Sequence, residues 1–273
     1  MPIHPTAVVD RQAEVDPTAD IGPFAFIEGR VRIGPRTRVY PHAFNTGWTE
    51  IGADCQIHPG AVVGHIPQDL AYSGAETYCR IGNGTIIREG ASVHRGTDPG
   101  SETVVGERCF IMANAHVAHN CRLGNDVKLV NAALLGGHVH IGHGAFIAGG
   151  AGIHQFVRIG DLAMIGGNSS ISMDVPPYLT AVRLGYCVGP NSVGLRRAGF
   201  TVEQRNEVKR VYHTLYRSAL PFHEAVETLA GTVGTDAGRH MLEFLRAPSR
   251  RGIAGGPKAR RVGDHPTDTA DAP

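Results

Sequence analysis

The chain has 273 residues, of which 42% are hydrophobic, and its formal net charge is +1. The near-neutral charge gives no reason to expect a nucleic acid partner, and no apolar run reaches the roughly 18–20 residues of a membrane span. The N-terminus lacks the basic start and apolar run of a secretory signal. The five cysteines are scattered and lack metal-ligand spacing. We therefore expect reduced thiols in a cytoplasmic protein, with no metal site.

The main feature of the sequence is a six-residue repeat. Between residues 3 and 171 there are 29 positions spaced six apart, and 25 of them hold Ile, Val or Leu. The exceptions are Asn45, Asp69, Ala75 and Pro99. A glycine often follows the aliphatic residue directly, and a small residue often lies four places after it. A period of six fits neither an α-helix nor the simple alternation of a strand.

Such a repeat predicts short strands that are joined by tight corners. Three strands close a triangular coil of about 18 residues, and the aliphatic residue of each hexad points inward. Successive coils stack at roughly the 4.8 Å spacing of neighbouring strands, so the core becomes a ladder of aliphatic side chains. We therefore predict a mainly β protein, with a parallel β-helix of hexapeptide repeats over residues 1–177.

Two segments interrupt the repeat without shifting its frame. Residues 64–80 and residues 97–104 are polar and rich in Gly and Pro. We expect both segments to bulge from the coils as loops, because function concentrates in loops that a rigid scaffold holds in place.

The pattern becomes helical after the last hexad. Thr201 begins a capping box, Pro221 opens a second helix, and Asp236 can cap a third. We predict a small α-helical C-terminal domain over residues 178–247. The following residues 248–273 are rich in Gly, Pro and charge and have little to bury, so we expect a disordered tail.

The histidines are unevenly spread, and six of the fifteen lie in the stretch from His116 to His154. Stepping along the chain by one coil places His119, Gly137 and Gln155 in one column at one corner, with His138 and His154 in the two neighbouring columns. We call this place the histidine corner. An imidazole next to bare glycine N–H groups supplies the base and the oxyanion donor that acyl transfer requires. We therefore expect the corner to be functional.

Seven short segments stand out beyond the repeat itself. They are Gln68-Asp69-Leu70, His94-Arg95-Gly96-Thr97, Asn114-Ala115-His116-Val117-Ala118-His119, Gly137-His138-Val139, His154-Gln155-Phe156, Asp174-Val175-Pro176-Pro177-Tyr178 and Gly194-Leu195-Arg196-Arg197-Ala198-Gly199-Phe200. In order and in spacing they resemble the characteristic stretches of the UDP-N-acetylglucosamine O-acyltransferase family, which begins lipid A synthesis. The resemblance extends from the start of the chain to about residue 253.

The resemblance implies a left-handed β-helix and three copies that pack side by side as a homotrimer. It also implies transfer of a (3-hydroxy)acyl chain from an acyl carrier protein thioester to the 3-hydroxyl of UDP-N-acetylglucosamine. The thioester is a co-substrate, and no cofactor is implied. Because the carrier protein is small and acidic, we expect it to bind basic residues near the helical end, such as Arg196, Arg197 and Lys209.

The resemblance also implies roles for single residues. His119 corresponds to the general base, and the N–H of Gly137 to the oxyanion donor. The implied substrate-binding residues are Asp69, His116 and His138 around the sugar, Gln155, Asn191 and Arg197 around the nucleotide and the pantetheine arm, and His94 and His154 in the same stretches. Gly167 corresponds to the position that sets acyl chain length, and a glycine there implies that a long chain is accepted.

The chain departs from the family pattern at three places. Asn120 stands where family members often have Asp, so an amide can orient the base but cannot stabilise its imidazolium form by charge. Ala71 stands where a lysine is common, and Val193 where a glutamate is common. The last two departures leave the acceptor open between the 3-hydroxy sugar and a 3-amino sugar nucleotide.

Three other functions are compatible with a hexapeptide β-helix. The trimeric zinc carbonic anhydrases use histidines at a spacing like that of His138 and His143, but they lack the segments quoted above. A scaffold that binds nucleotide sugars without turnover is a non-enzymatic alternative. The N-acyltransferase of the same pathway adds a uridine-binding domain at its N-terminus, whereas the hexads here begin at Ile3.

Overall fold

The computed structural model describes residues 3–256, which form 27 strands and four helices, labelled in chain order. All 27 strands belong to three sheets, the three sides of a triangular coil, and every pairing is parallel except that of the last two strands. The first sheet contains β1 (Val8–Val9), β4 (Phe26–Glu28), β7 (Phe44–Thr46), β10 (Val62–His65), β13 (Ser92–His94), β16 (His116–Val117), β19 (Leu134–Leu135), β22 (Gly152–Ile153) and β25 (Ser170–Ile171).

The second sheet contains β2 (Glu14–Val15), β5 (Val31–Ile33), β8 (Trp48–Ile51), β11 (Tyr78–Ile81), β14 (Glu102–Val105), β17 (Arg122–Leu123), β20 (His140–Ile141) and β23 (Arg158–Ile159). The third sheet contains β3 (Asp20–Ile21), β6 (Arg38–Val39), β9 (Gln56–Ile57), β12 (Ile86–Ile87), β15 (Phe110–Ile111), β18 (Lys128–Leu129), β21 (Phe146–Ile147), β24 (Met164–Ile165), β26 (Leu179–Val182) and β27 (Tyr186–Pro190).

The strand register confirms the predicted coil of three hexads. His116 pairs with Leu134, and Leu134 pairs with Gly152, so a residue lies against the one that follows it three hexads later. The aliphatic residue of each hexad points into the coil, where Ile111, Leu129 and most other ladder residues are fully buried. The sequence prediction of a hexapeptide β-helix is therefore confirmed.

The two predicted loops are insertions that preserve the frame. Ile51 of β8 pairs with Ile81 of β11, which lies five hexads later instead of three, so the first loop adds two hexads. Tyr78 pairs with Glu102, which lies four hexads later, so the second loop adds one. Three of the four exceptions to the repeat lie in these loops, whereas Asn45 keeps the inward position and is fully buried. We call residues 66–77 the Asp69 loop.

The corners repeat one backbone conformation from coil to coil. The second residue of many corners has a left-handed backbone, with φ of 60° at Asn120, 59° at His138 and 67° at Phe156. Asn tolerates this conformation better than most residues. Residues at this position therefore form columns along the corner of the β-helix, with one residue from each coil.

The chain continues into a hairpin and four helices. Strand β26 pairs in parallel with β24 and antiparallel with β27, so the hairpin extends the third sheet beyond residue 177. The sequence analysis did not identify this hairpin. The helices are α1 (Ser192–Arg197), α2 (Val202–Tyr216), α3 (Phe222–Ala230) and α4 (Asp236–Arg246).

The helix starts agree closely with the sequence signals. The capping box predicted at Thr201 is present at the start of α2, and Pro221 precedes α3. The cap of α4 is Thr235, whose hydroxyl accepts from the N–H of Gly238, rather than Asp236. Among residues 3–256, no helix combines the length and apolar character needed to cross a membrane.

The segment after α4 differs from our expectation of disorder. Residues 248–256 run back along the β-helix, where the N–H of Ala254 donates to Asp174 and the N–H of Cys187 donates to Gly255. Ala254 is 1% exposed. The rest of the predicted tail lies outside the described residues. All five cysteines are buried and unpaired.

Candidate active site

The histidine corner lies between the first and second sheets, and three successive coils build it. The N–H of His138 donates to the carbonyl of His119, and the N–H of Phe156 donates to Gly137, both at 3.0 Å. The column predicted from the repeat is therefore present. A Cβ on Gly137 would lie 2.6 Å from both Cε1 and Nε2 of His119. Only glycine leaves room for the imidazole to approach the backbone this closely.

The orientation of His119 is fixed by its neighbour. Its Nδ1 lies 2.9 Å from Oδ1 of Asn120, and the same oxygen accepts the N–H of Thr97 at 3.1 Å. Because an amide oxygen only accepts, Nδ1 carries a proton, so in the neutral imidazole Nε2 is the nitrogen with the lone pair. Asn120 thus sets the tautomer that a general base needs, without supplying a negative charge.

The Asp69 loop brings a carboxylate to the same place. Oδ2 of Asp69 lies 3.7 Å from Nε2 of His119, which is longer than a direct hydrogen bond. The N–H of Ala71 donates to Oδ1 of Asp69 and is the main cause that lowers the pKa of this carboxyl group below its usual value. Asp69 is therefore ionised at neutral pH and faces the same space as Nε2.

Two further histidines lie behind the corner on the first sheet. Nδ1 of His116 is 2.8 Å from the hydroxyl of Ser92, and its ring meets the ring of His94 edge-on at 4.9 Å. His94 is only 6% exposed. Burial lowers the pKa of His94 to about 4 and also lowers the pKa of His116. Both rings are therefore neutral at neutral pH.

His138 completes the corner on the side of the second sheet. Its ring lies edge-on to His119 at 5.3 Å and stacks on Phe156 at 4.8 Å, and the guanidinium of Arg250 lies 4.7 Å from the Phe156 ring. Burial is the main cause that lowers the pKa of His138. His154 is exposed, with Nδ1 3.2 Å from the carbonyl of Gln155. The corner thus places the neutral ring of His138 and the carboxylate of Asp69 on two sides of His119.

A groove of about 570 Å³ extends from the histidine corner along the first sheet. Its floor is one outward-facing column, with one residue from each coil: His116, Leu134, Gly152 and Ser170. Gln68 of the Asp69 loop lines it as well. The sequence analysis did not select Gln68, Leu134, Gly152 or Ser170. Stepping by one coil from His116 along the positions just before the ladder residues would have found the last three.

Some predicted site residues lie elsewhere in the chain. Asn191 caps α1 through the N–H of Gly194 and donates to the carbonyl of Leu162, at a different corner of the coil. Arg197 is exposed in the last turn of α1. Gly167 is exposed at the corner that precedes Ser170, and a Cβ there would meet only the carbonyl of Gly149, at 3.4 Å.

The other two residues that depart from the family pattern lie on the surface. Ala71 is exposed in the Asp69 loop, and Val193 is exposed in α1. His138 and His143 occupy successive corners on either side of β20. In the part of the chain that the structure describes, no group of three or more His, Cys, Asp or Glu is arranged to hold a metal ion.

The chemistry of the corner follows from this geometry. Nε2 of His119 is the basic nitrogen of the neutral imidazole, and the N–H of Gly137 next to it donates to no acceptor within residues 3–256. A base next to an unpaired peptide N–H can take a proton from a hydroxyl group and stabilise the oxyanion of an acyl-transfer intermediate. Fold and site together define an acyltransferase of the hexapeptide-repeat class.

Comparison with known proteins identifies the family. A profile described as UDP N-acetylglucosamine O-acyltransferase, domain 2, matches residues 174–254, and one for bacterial transferase hexapeptide repeats matches residues 102–137. The acyl-[acyl-carrier-protein]–UDP-N-acetylglucosamine O-acyltransferase of Alkalilimnicola ehrlichii is 51% identical and is covered to 98%, with 92% of this chain covered. The chain belongs to the UDP-N-acetylglucosamine O-acyltransferase family.

Other relatives and solved structures agree. The enzyme of the same name from Anaeromyxobacter dehalogenans is 48% identical, with 93% of this chain and 99% of that protein covered. The Francisella novicida UDP-N-acetylglucosamine acyltransferase superposes with a TM-score of 0.90 at 36% identity, covering 94% of this chain and 95% of that one. The Arabidopsis UDP-N-acetylglucosamine acyltransferase superposes with a TM-score of 0.83 at 32% identity, covering 92% of this chain and 99% of that one. These neighbours confirm the left-handed β-helix.

Proposed function

We propose that this acyltransferase moves an acyl chain from an acyl carrier protein thioester to the 3-hydroxyl of UDP-N-acetylglucosamine. The names of its relatives support the two substrates. The observation that supports the reaction most directly is the arrangement of His119, with Nδ1 held by Asn120 and the ring packed against Gly137.

In the proposed reaction, Nε2 of His119 removes the proton of the 3-hydroxyl as its oxygen attacks the thioester carbonyl. The N–H of Gly137 donates to the oxyanion of the tetrahedral intermediate. When the intermediate collapses, the C–S bond breaks, the ester C–O bond remains, and the imidazolium returns its proton to the departing thiolate. Asn120 offers no charge to the imidazolium, but the ionised carboxylate of Asp69 lies 3.7 Å from Nε2.

We assign Asp69, His116 and His138 to the sugar. A carboxylate and two neutral imidazoles form a set that can accept from and donate to sugar hydroxyls. Their lowered pKa values keep this set ionised at Asp69 and neutral at the two histidines at neutral pH. We assign Gln155 and His154, at the open side of the corner, to the rest of the nucleotide sugar and the donor arm, and His94 to support behind His116.

We further propose that the working unit is a homotrimer whose sites lie between copies. Asn191 and Arg197, which we assign to the nucleotide, are at another corner of the same chain, so a neighbouring copy must supply them. The first sheet also exposes apolar side chains at two places, with Val8 53% and Phe26 44% exposed in the first coils and Leu134 51% exposed beside the groove. Large exposed apolar side chains on one face suit an interaction surface.

We propose that the acyl chain follows the groove and ends near Gly167. Leu134 and Gly152 form an apolar floor with an open space above Gly152, where a Cβ would meet nothing within 4 Å. No side chain at Gly167 closes this end, which favours a long chain.

We propose that acyl carrier protein binds at the helical end. One cavity of about 660 Å³ there is lined by Arg196, Arg205, Lys209 and Arg217. Such a basic surface is complementary to an acidic carrier. Because both carrier and nucleotide sugar are intracellular substrates, we expect the protein to be cytoplasmic.

Mass spectrometry of the product tests this function. Purified protein is incubated with acyl carrier protein thioesters and UDP-N-acetylglucosamine, or with a 3-amino analogue of that sugar nucleotide. We expect an ester of UDP-N-acetylglucosamine at the 3-oxygen. Acylation of the 3-amino analogue alone would overturn the proposed acceptor, and absence of any acylated sugar nucleotide would overturn the proposed reaction.

A further inference from the structure

The Asp69 loop presents its carboxylate to the base from outside the coil. The loop leaves the first sheet after His65 and joins the second sheet at Tyr78. Its internal hydrogen bonds are those of tight turns, such as the N–H of Tyr72 to the carbonyl of Asp69 at 3.1 Å. Turns of this kind shape a loop but do not hold it against a scaffold, so the position of Asp69 needs an anchor.

The anchor is visible on the neighbouring coil. The guanidinium of Arg95 contacts two rings, with its Cζ 5.6 Å from the centroid of Trp48 and 5.5 Å from that of Tyr72. It donates to the carbonyl of Gly64 at 3.1 Å and to the hydroxyl of Tyr72 at 2.8 Å. The Tyr72 hydroxyl in turn donates to the carbonyl of Ala75 at 3.0 Å.

Arg95 is an unusual residue to find in this place. It is only 8% exposed, and its described partners are two rings, a carbonyl and a hydroxyl, none of them a carboxylate. A buried cation without a counter-charge lowers stability, and here Nη1 and Nη2 are paired whereas Nε has no described partner. Cation–π contact with two rings, combined with donation from two guanidinium nitrogens in different directions, suits arginine better than lysine.

The backbone around Arg95 ties down both ends of the same loop. The N–H of Arg95 donates to the carbonyl of His65 at 3.1 Å, and the N–H of Gly96 donates to Tyr78 at 3.2 Å. One residue further on, the N–H of Thr97 donates to Asn120, the residue that orients His119. A single short segment therefore contacts both the loop and the partner of the base.

We propose that Arg95 is a positioning residue that fixes the distance between Asp69 and His119 through its hydrogen bond and cation–π contact with Tyr72. Tyr72 lies three residues after Asp69, and its N–H donates to the carbonyl of Asp69. Contacts that fix the Tyr72 ring therefore also fix the position of the Asp69 carboxylate. This inference rests on the proposed function, because it assigns Arg95 an effect through Asp69 on the reaction at His119.

Variants of Tyr72 test the proposal without disturbing the coil, since this ring is half-buried in the loop. Tyr72→Phe removes only the hydroxyl, and Tyr72→Ala removes the ring as well. Because a small misplacement of a reacting group can cost about a hundredfold in rate, we expect kcat/KM to fall roughly tenfold in Tyr72→Phe and about a hundredfold in Tyr72→Ala. Each change also takes a partner from the buried Arg95 guanidinium, so the melting temperature should fall, and kcat/KM is compared well below the melting temperature of every variant. Hydrogen exchange should rise within residues 66–77.

Tyr78→Phe is the matched control. The hydroxyl of Tyr78 contacts the carboxylate of Glu76 at the other end of the same loop. If Arg95 acts through Tyr72, this change should leave kcat/KM within about twofold of the wild type. An equal loss of kcat/KM in Tyr72→Phe and Tyr78→Phe would overturn the proposal, because any loosening of the loop would then have the same effect.

A double-mutant cycle with Asp69→Ala separates this inference from the function itself. We expect Tyr72→Ala to cause no further loss once the carboxylate is absent. Losses that multiply would overturn the proposal, since Tyr72 would then act on something other than Asp69. If Asp69→Ala lowers kcat/KM and Tyr72→Ala does not, the positioning role of Arg95 and Tyr72 is overturned, while the proposed function stands. Full activity of Asp69→Ala would instead overturn the proposed role of Asp69, and with it the positioning role of Arg95.

Discussion

The histidine corner and the helical end of the chain differ in how their functional side chains are brought together. At the corner, His119, Gly137 and Gln155 are far apart in sequence, yet they stack because each coil repeats the one before it. At the helical end, Asn191 and Arg197 are close in sequence, but they lie away from that corner within one chain. A repeat converts spacing directly into geometry, whereas a non-repeating segment does not.

The largest expected effect distinguishes the corner from an equivalent place in the same coil. His119→Ala should lower kcat by about 10²–10⁴-fold, the usual contribution of a general base, without changing the melting temperature. His143 is the matched control, because it occupies the same hexad position at another corner, where Nδ1 accepts the N–H of Asn125. His143→Ala with the same loss, or His119→Ala with none, would show that this corner is not the site of chemistry.

The next effect concerns the far end of the groove. Gly167→Met places a flexible apolar chain at the proposed end, and donors about four methylenes shorter should then be preferred. At about 0.8 kcal/mol per buried methylene, the long donor should lose roughly 3 kcal/mol, or about a hundredfold in kcat/KM. Competition between short and long carrier thioesters measures this. Gly234→Met, at the helical end, should leave the preference unchanged. An unaltered preference in Gly167→Met would mean that the groove ends elsewhere.

The buried histidine of the coil should make stability depend on pH. Burial lowers the pKa of His94 to about 4 from 6.5, so between these values the unfolded chain binds a proton that the folded protein does not. The free energy of unfolding therefore falls as the pH drops below about 6.5, by about 2 kcal/mol at pH 5 from this group. His94→Asn should remove that share of the difference between pH 7 and pH 5. His223→Asn, at an exposed position of the helical end, should not. Equal pH dependence in all three proteins would contradict the burial of a neutral His94.

The smallest effect tests the helical end. Arg196→Glu combined with Lys209→Glu should raise KM for the carrier thioester by about tenfold and blunt its salt dependence, because electrostatic attraction of the acidic carrier is lost. Lys128→Glu, on the outer face of the third sheet, reverses a charge on the coil and should change neither. A change confined to the KM of the nucleotide sugar would place the carrier surface elsewhere.

The repeat made the coil, its ladder and the histidine corner predictable, since these depend only on period. The hairpin of β26 and β27 and the helix α1 were missed because single short elements have no period, although the cap of α1 by Asn191 is a local signal. Residues 248–256 were expected to be disordered from their polar composition. They are held mainly by backbone hydrogen bonds to residues such as Asp174, which composition does not reveal.

The central claim is that His119 and the peptide of Gly137 act as one unit, and Gly137→Ala tests it most directly. Its Cβ would lie 2.6 Å from two ring atoms of His119, so the imidazole must move from the position in which Nε2 faces the substrate. The matched control is Gly124→Ala, whose Cβ would press on His143 at another corner. We predict that kcat falls by about a hundredfold in Gly137→Ala and stays near the wild-type value in Gly124→Ala. Equal turnover in the two variants would contradict the account.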